Sequence, residues 1–202
     1  MHRPSYSIND DSQAAEKLIQ DFPLGLLISN VDGKIDSNYL PFLVHTKNEE
    51  LILTTHLARS NPQWKNLGSS VLVSFQGPNR YISPVMYVGK NNVPTWNYAA
   101  VQIEGAPELV TEGPEIKKIL QQSVEFFESR NKSNWHYDLP ASMQDKLESA
   151  IVGLRIRAKS KAKFKLSQNR NDEDYEAVIS YLKTSSVASD QELLEWMNCL
   201  PK

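Results

Sequence analysis

The chain has 202 residues, enough for one large domain or two small ones with a real core. Hydrophobic residues make up 40% and charged residues 23%, and the formal net charge is −2, so the chain is not globally basic and any nucleic-acid contact needs a local patch. The single cysteine, Cys199, excludes an internal disulfide framework and a cysteine-rich zinc module.

The opening residues lack the apolar core of a signal peptide, and no apolar run approaches the ~20 residues of a bilayer span. A cytoplasmic protein is the expectation. The apolar spacing of Ala14, Ala15, Leu18, Ile19 and Phe22 predicts a first helix from Ser12 to Phe22, with Ser12 as cap. Leu24 to Ser29 reads as a strand, Asp32-Gly33 as a hairpin turn, and Tyr39 to Val44 as the returning strand, bulged or at an edge because of Pro41. Leu51 to Thr55 and Val71 to Phe75 are further strands. Trp96 to Val110 is long enough for a bent strand that breaks at Gly105 or Pro107.

The period then switches. Pro114 suits the first turn of a helix that continues through Ile116, Ile119, Leu120, Val124 and Phe127. A shorter helix is expected over Pro140 to Leu147, and strand spacing returns from Ala150 to Leu166. Two helices close the chain, one over Asp172 to Lys183 and one opened by a capping box, Ser189-x-x-Glu192. The sum is an α+β protein, an antiparallel barrel with peripheral helices. It divides into an N-terminal helical segment (1–22), a barrel domain (23–170) and C-terminal helices packed on it (171–202).

Three clusters carry chemistry. Arg155, Arg157, Lys159, Lys161, Lys163 and Lys165 occupy every second position, so an extended chain presents them on one face. That face suits a phosphate site or a nucleic-acid track, or is a solvated sheet face that blunts an edge. Thr54, Thr55, His56, Arg59 and Asn61 gather hydroxyls, an imidazole, a guanidinium and an amide where a strand enters a turn, donors that suit a phosphate; an ordinary Asn-Pro turn is the alternative. Tyr81, Ser83, Thr95, Trp96 and Asn97 combine aromatic faces with polar groups, which suits a planar heteroaromatic ligand or a plain barrel core. The four histidines show no metal-ligand spacing. No Walker loop, dinucleotide fingerprint or nucleophile elbow is present.

These clusters, with Leu40-Pro41-Phe42, Phe75-Gln76-Gly77-Pro78, Ile151-Val152-Gly153 and Lys163-Phe164-Lys165-Leu166-Ser167-Gln168-Asn169-Arg170, resemble the PaiB family of FMN-binding negative transcriptional regulators. That family is related to the pyridoxamine-phosphate oxidases. The resemblance implies an FMN-binding split barrel of about six strands. It also implies a homodimer with flavin sites between subunits, and a phosphate site at Thr54 to Asn61. A cation from Lys163 or Lys165 then supports the phosphate, Trp96 and Asn97 lie near the ring, and Tyr81, Ser83, Thr95 and Gln168 join the site. The chain departs from the wider group in having Ala58-Arg59-Ser60-Asn61 where a Ser-Arg-Lys run is usual, and Tyr39 where a histidine is. The implied function is flavin-sensing transcriptional regulation, with DNA contact through the 155–165 stripe. The alternative is an FMN-dependent oxidoreductase, since a flavin carries hydride chemistry without a catalytic triad.

Overall fold

A computed structural model of the chain describes residues 1–9, 12–48, 50–158 and 160–200. A two-residue strand, β1 (Ile8–Asn9), precedes helix α1 (Ser12–Asp21), which buries Ala14, Ala15, Leu18 and Ile19 as their spacing predicts. The residue before Ser12, where an N-cap stands, lies outside the described residues. Asp32 and Gly33 both take left-handed φ, 52° and 80°, the torsions of a two-residue hairpin turn. They join β2 (Leu24–Val31) to β3 (Lys34–Pro41) in a continuous ladder that ends with Leu24 opposite Pro41.

Next come β4 (Leu43–Lys47), β5 (Glu50–Ala58), β6 (Val71–Ile82) and the long β7 (Thr95–Val110). Helices α2 (Gly113–Arg130, with Pro114 in its first turn) and α3 (Ala141–Ser149) lead to β8 (Ile151–Ala158) and β9 (Ser160–Lys165). Helices α4 (Asp172–Lys183) and α5 (Ala188–Cys199) follow. The ladder order is β3-β2-β6-β7-β8-β5-β4, with β9 also on β7 and β1 on β9. Every pairing is antiparallel.

The strand expected over Ala150 to Leu166 is therefore two strands. Both pair with β7: Tyr98 to Ile103 against β9, and Ala106 to Val110 against β8. Gly105 marks the switch, because a Cβ there would stand 2.6 Å from the Arg157 carbonyl oxygen. Two half-sheets thus share β7, with no ladder among the described residues closing them, and they wrap one core. Leu27, Val73, Phe75, Val101 and Ile103 meet Leu51, Leu53, Leu154 and Ile156 inside it, and Phe42 sets its ring edge-on to Phe75 at 5.4 Å. This is a split barrel, with nine strands among the described residues where about six were expected.

The C-terminal helices complete the core, with Phe164 stacked on Trp196 at 5.6 Å. The capping box at Ser189 does not form. Helix α5 begins at Ala188 after Val187, with no side-chain cap. Asp190 instead turns inward, 3.3 Å from Arg80 of β6, and accepts the Ser185 hydroxyl at 2.6 Å, so a tertiary ion pair sets the helix start.

Candidate functional site

Alternation along β5 sends Leu53, Thr55 and Leu57 into the barrel core and Ile52, Thr54 and His56 to the opposite face. Thr54 and Thr55 therefore do not address one group from one side. The Thr55 hydroxyl donates to the Pro41 carbonyl at 2.6 Å, and the Phe42 N–H donates to the Pro23 carbonyl at 2.9 Å. The Leu40-Pro41-Phe42 block thus ties β5 to the start of β2. His56 lies opposite Gly153 of β8. Burial holds its imidazole below the usual histidine range, and its Nδ1 is buried without a hydrogen-bond partner.

Arg59 leaves the end of β5 and clamps the turn between α3 and β8. Its Nε donates to the Ser149 carbonyl at 2.8 Å and its Nη2 to the Ile151 carbonyl at 2.9 Å. Asn61 caps the short 3-10 turn Pro62–Lys65, accepting the Gln63 N–H at 2.9 Å, which is the ordinary Asn-Pro role.

The second group occupies the outer face of β6, β7 and β9. Tyr81 and Trp96 stand opposite each other, edge to face at 6.2 Å, and are 45% and 52% exposed. Tyr98 follows on the same face, opposite Lys165, and the Lys163 ammonium lies 5.2 Å from its ring. Lys165 donates to the Thr95 hydroxyl, and burial lowers its pKa below the usual lysine value. Neither lysine forms an ion pair among the described residues.

The basic run upstream differs. Arg155 meets Glu115 at 2.5 Å and Glu108 at 3.9 Å, Arg157 meets Glu108 at 3.8 Å, and Lys161 meets Glu104 at 3.5 Å. Glutamates thus offset this part of the stripe. Lys159 lies outside the described residues.

Three candidates do not reach the outer face. Asn97, one residue from Trp96, points inward, is 0% exposed and forms a reciprocal pair with Ser167: its Nδ2 donates at 2.8 Å, and its Oδ1 accepts the hydroxyl at 3.1 Å. Gln168 accepts the Leu166 N–H and donates to the Phe164 carbonyl, each at 2.6 Å, which closes off the end of β9. Ser83 caps the 3-10 turn Pro84–Met86.

Sequence reasoning missed a cleft on the same outer face. It measures about 590 Å³ and lies between Leu24, Leu26 and Tyr39 on one side and Ser74, Gln76 and Asn79 on the other. Leu24 and Tyr39 are 60% and 68% exposed. The signal was hidden because Leu24 to Ile28 reads as one apolar run, whereas alternation leaves Leu24 and Leu26 outside.

Two half-sheets sharing one bent strand, with flanking helices, define the class: the flavin-binding split barrels. Among solved structures the chain resembles the FAD and heme binding protein from Mycobacterium smegmatis. That match has a TM-score of 0.60 and 13% identity and covers 79% of this chain and 73% of that one. It also resembles the flavocytochrome Anf3 from Azotobacter vinelandii, with a TM-score of 0.61 and 12% identity, covering 87% and 78%. At such identities these likenesses establish the fold alone.

The family is set by sequence. Residues 1–160 match the family described as "Putative FMN-binding domain", and the chain belongs to it. It is 33% identical over 202 residues to protease synthase and sporulation protein PAI 2 of Bacillus subtilis (strain 168), covering 98% of this chain and 96% of that protein.

FMN is the cofactor of this family, and the residues present suit it. The buried Nδ1 of His56, without a partner among the described residues, offers a polar contact, Lys163 and Lys165 offer cations not engaged by carboxylates among those residues, and Tyr81, Trp96 and Tyr98 offer ring faces. No helix among the described residues is long and apolar enough to cross a membrane.

Proposed function

We propose that the chain is an FMN-binding negative transcriptional regulator that works as a homodimer, with each flavin held between the strand end of one copy and the aromatic face of the other. One observation carries this reading. His56 pairs with Gly153, and Gly153 pairs with Val110 at the far end of β7, whereas Trp96 stands at its beginning. The fourteen residue steps from Trp96 to Val110 amount to about 45 Å of strand contour at ~3.3 Å per residue. The two groups thus belong to opposite ends of β7, and in the proposed dimer a second copy supplies the other half of each flavin site. The exposed Leu24, Tyr39, Tyr81 and Trp96 also form an apolar face that a partner covers.

In this arrangement Arg59 and His56 of one copy bind the phosphate end, while Thr55, turned into the core, braces the strand through Pro41. Lys163 and Lys165 add charge, and Tyr81, Trp96 and Tyr98 orient the ring and exclude water from it. When bound, FMN supplies hydride or electron-transfer chemistry. The regulatory part of the proposal draws on the name of the Bacillus relative. Because Lys163 and Lys165 serve the ligand, DNA contact falls to the first four basic residues of the 155–165 stripe, of which Arg155, Arg157 and Lys161 also face glutamates.

Deleting the gene tests the regulatory reading. Target transcripts should rise, and wild-type protein should restore repression where an Arg59→Ala chain does not. Unchanged transcripts contradict it. One observation favours a second reading, an FMN-dependent oxidoreductase: the cleft beside the aromatic face leaves room for a small substrate. Steady turnover of reduced nicotinamide by the flavin-loaded protein decides for that reading.

A further inference from the structure

Strand β3 stands at one end of the ladder order and pairs only with β2, and among the described residues its other edge has no backbone partner. We propose that this open edge is an interaction surface for a second copy of the chain, which pairs with it antiparallel, strand to strand, about a two-fold axis at Ser37. The contact lies in the plane of the sheet, apart from the flavin site, and does not rest on the flavin reading.

The hairpin decides which groups point outward. Its two-residue turn at Asp32-Gly33 makes Val31 and Lys34 a hydrogen-bonded pair, and such pairs recur at every second rung. Asp36, Asn38 and Leu40 thus turn their N–H and C=O groups to Ser29, Leu27 and Gly25. Ile35, Ser37 and Tyr39 turn theirs to the open edge. Their side chains are exposed as well, Ile35 and Tyr39 at 68% each. Natural edges are kept apart by lysine, proline or a bulge. In β3, Lys34 and Pro41 stand only at the two ends, and the ladder between them is unbroken.

The register names the occupant. Pairing about Ser37 sets Ile35 opposite the partner's Tyr39, and Ser37 opposite the partner's Ser37. Each of these rungs exchanges two backbone hydrogen bonds, and the apolar pairs meet on one face. On the other face Asp36 meets the partner's Asn38. Asn38 Nδ2 donates one hydrogen to Gln63 Oε1 at 2.9 Å and has a second for a carboxylate. The neighbouring registers fail. A shift one way sets Asp36 against the partner's Asp36, like charges in direct opposition. A shift the other way sets Ile35 against the partner's Pro41, which has no N–H and whose carbonyl already accepts the Thr55 hydroxyl at 2.6 Å. The segment Ile35-Asp36-Ser37-Asn38-Tyr39 is thus its own complement, as an interface between identical copies requires. So short a strand pair covers less than the ~1,200 Å² of a stable interface, so the contact forms at protein concentrations of ~100 µM and above and is lost on dilution.

The test is oxidative cross-linking of the full-length chain at about 100 µM, with the exposed Cys199 replaced by serine. Across the axis a hydrogen-bonded rung holds its Cα atoms ~5.5 Å apart, within disulfide reach, whereas the two copies of position 35 lie ~14 Å apart along the strands. A Ser37→Cys chain should therefore form a covalent dimer ~10-fold or more faster than an Ile35→Cys chain. A Ser37→Cys chain that is no faster, or that forms no dimer because the edge serves the strand of another protein, overturns the proposal. Sedimentation at the same concentration gives a second reading. Ser37→Lys sets two ammonium groups face to face and should abolish the association that wild type loses on dilution, with FMN affinity unchanged. An equimolar mixture with Ser37→Glu should restore it, and thermal melting verifies that both variants are folded. Association of Ser37→Lys equal to that of wild type, or a mixture that restores nothing, overturns the proposal. Should the protein take up no FMN, the flavin reading fails, and the cross-linking still decides this one.

Discussion

Asp174 carries more of the structure than its place in a surface helix suggests. Its carboxylate accepts the N–H groups of Val88 and Gly89 and the amide of Asn92, each at 3.0 Å, and the amide of Asn171 at 3.3 Å. These contacts pin the loop that leads into Trp96 against the start of α4. The Gly89 backbone bond, helped by those from Asn92 and Val88, holds the Asp174 carboxyl below its usual value despite burial. A depressed folded-state pKa stabilises the fold above the unfolded value, ~3.9, and this contribution is lost as pH falls through the folded value. An acid titration of thermal stability should therefore show a loss below about pH 4 that Asp174→Asn flattens while lowering stability at neutral pH. Superimposable acid limbs for the two proteins contradict this role. Of the residues in the proposed flavin site, Arg59 gives the most direct test of the ligand. Arg59→Ala removes a charged donor and the clamp on the Ser149 and Ile151 carbonyls, and FMN affinity, followed by flavin fluorescence, should fall ~10-fold or more. An unchanged dissociation constant removes Arg59 from the site.

At the scale of the elements, β7 organises the molecule, because both half-sheets hang on it and it presents opposite chemistry on its two faces. Trp96 and Tyr98 face outward, while Asn97 between them is locked to Ser167 inside. Asn97→Ala strands a buried hydroxyl and should cost about 1–3 kcal/mol in chemical denaturation, with FMN affinity per folded molecule preserved. A specific loss of FMN affinity without a loss of stability would return Asn97 to the ligand. This residue also shows where the sequence stopped being legible. The alternation of helical and strand regions, the Asp32-Gly33 hairpin, the special role of Gly105 in a bent β7 and the first turn at Pro114 were readable, because each follows from local torsion or apolar period, whereas the division of 39–44 and of 150–166 between separate strands was not. Which side of a strand faces the core is not local. Thr54 and Thr55 are neighbours in sequence and opposites in space, and Leu24 sits in an apolar run yet lies on the surface. The Ser189 box failed for the same reason: Arg80, more than a hundred positions away, claims Asp190. The cleft at Tyr39 and Gln76 joins strands distant along the chain, and no single segment advertised it.

The whole molecule is a split barrel with one large uncovered aromatic face and a set of polar donors at a distant strand end. In the proposed dimer a second copy reconciles the two by covering the face and uniting the halves of the flavin site. If so, assembly and flavin binding rise and fall together, and a charge on the aromatic face undoes both. Trp96→Glu places a carboxylate at a half-exposed position, where the fold itself tolerates it and a desolvated interface does not. The decisive measurement is sedimentation velocity across a dilution series, detected at the flavin absorbance, for wild type and Trp96→Glu. The account predicts that wild-type flavin sediments only with the dimer and is released as the dimer dissociates, and that Trp96→Glu is a folded monomer without flavin. Flavin that sediments with a wild-type monomer, or a flavin-loaded Trp96→Glu monomer, contradicts it.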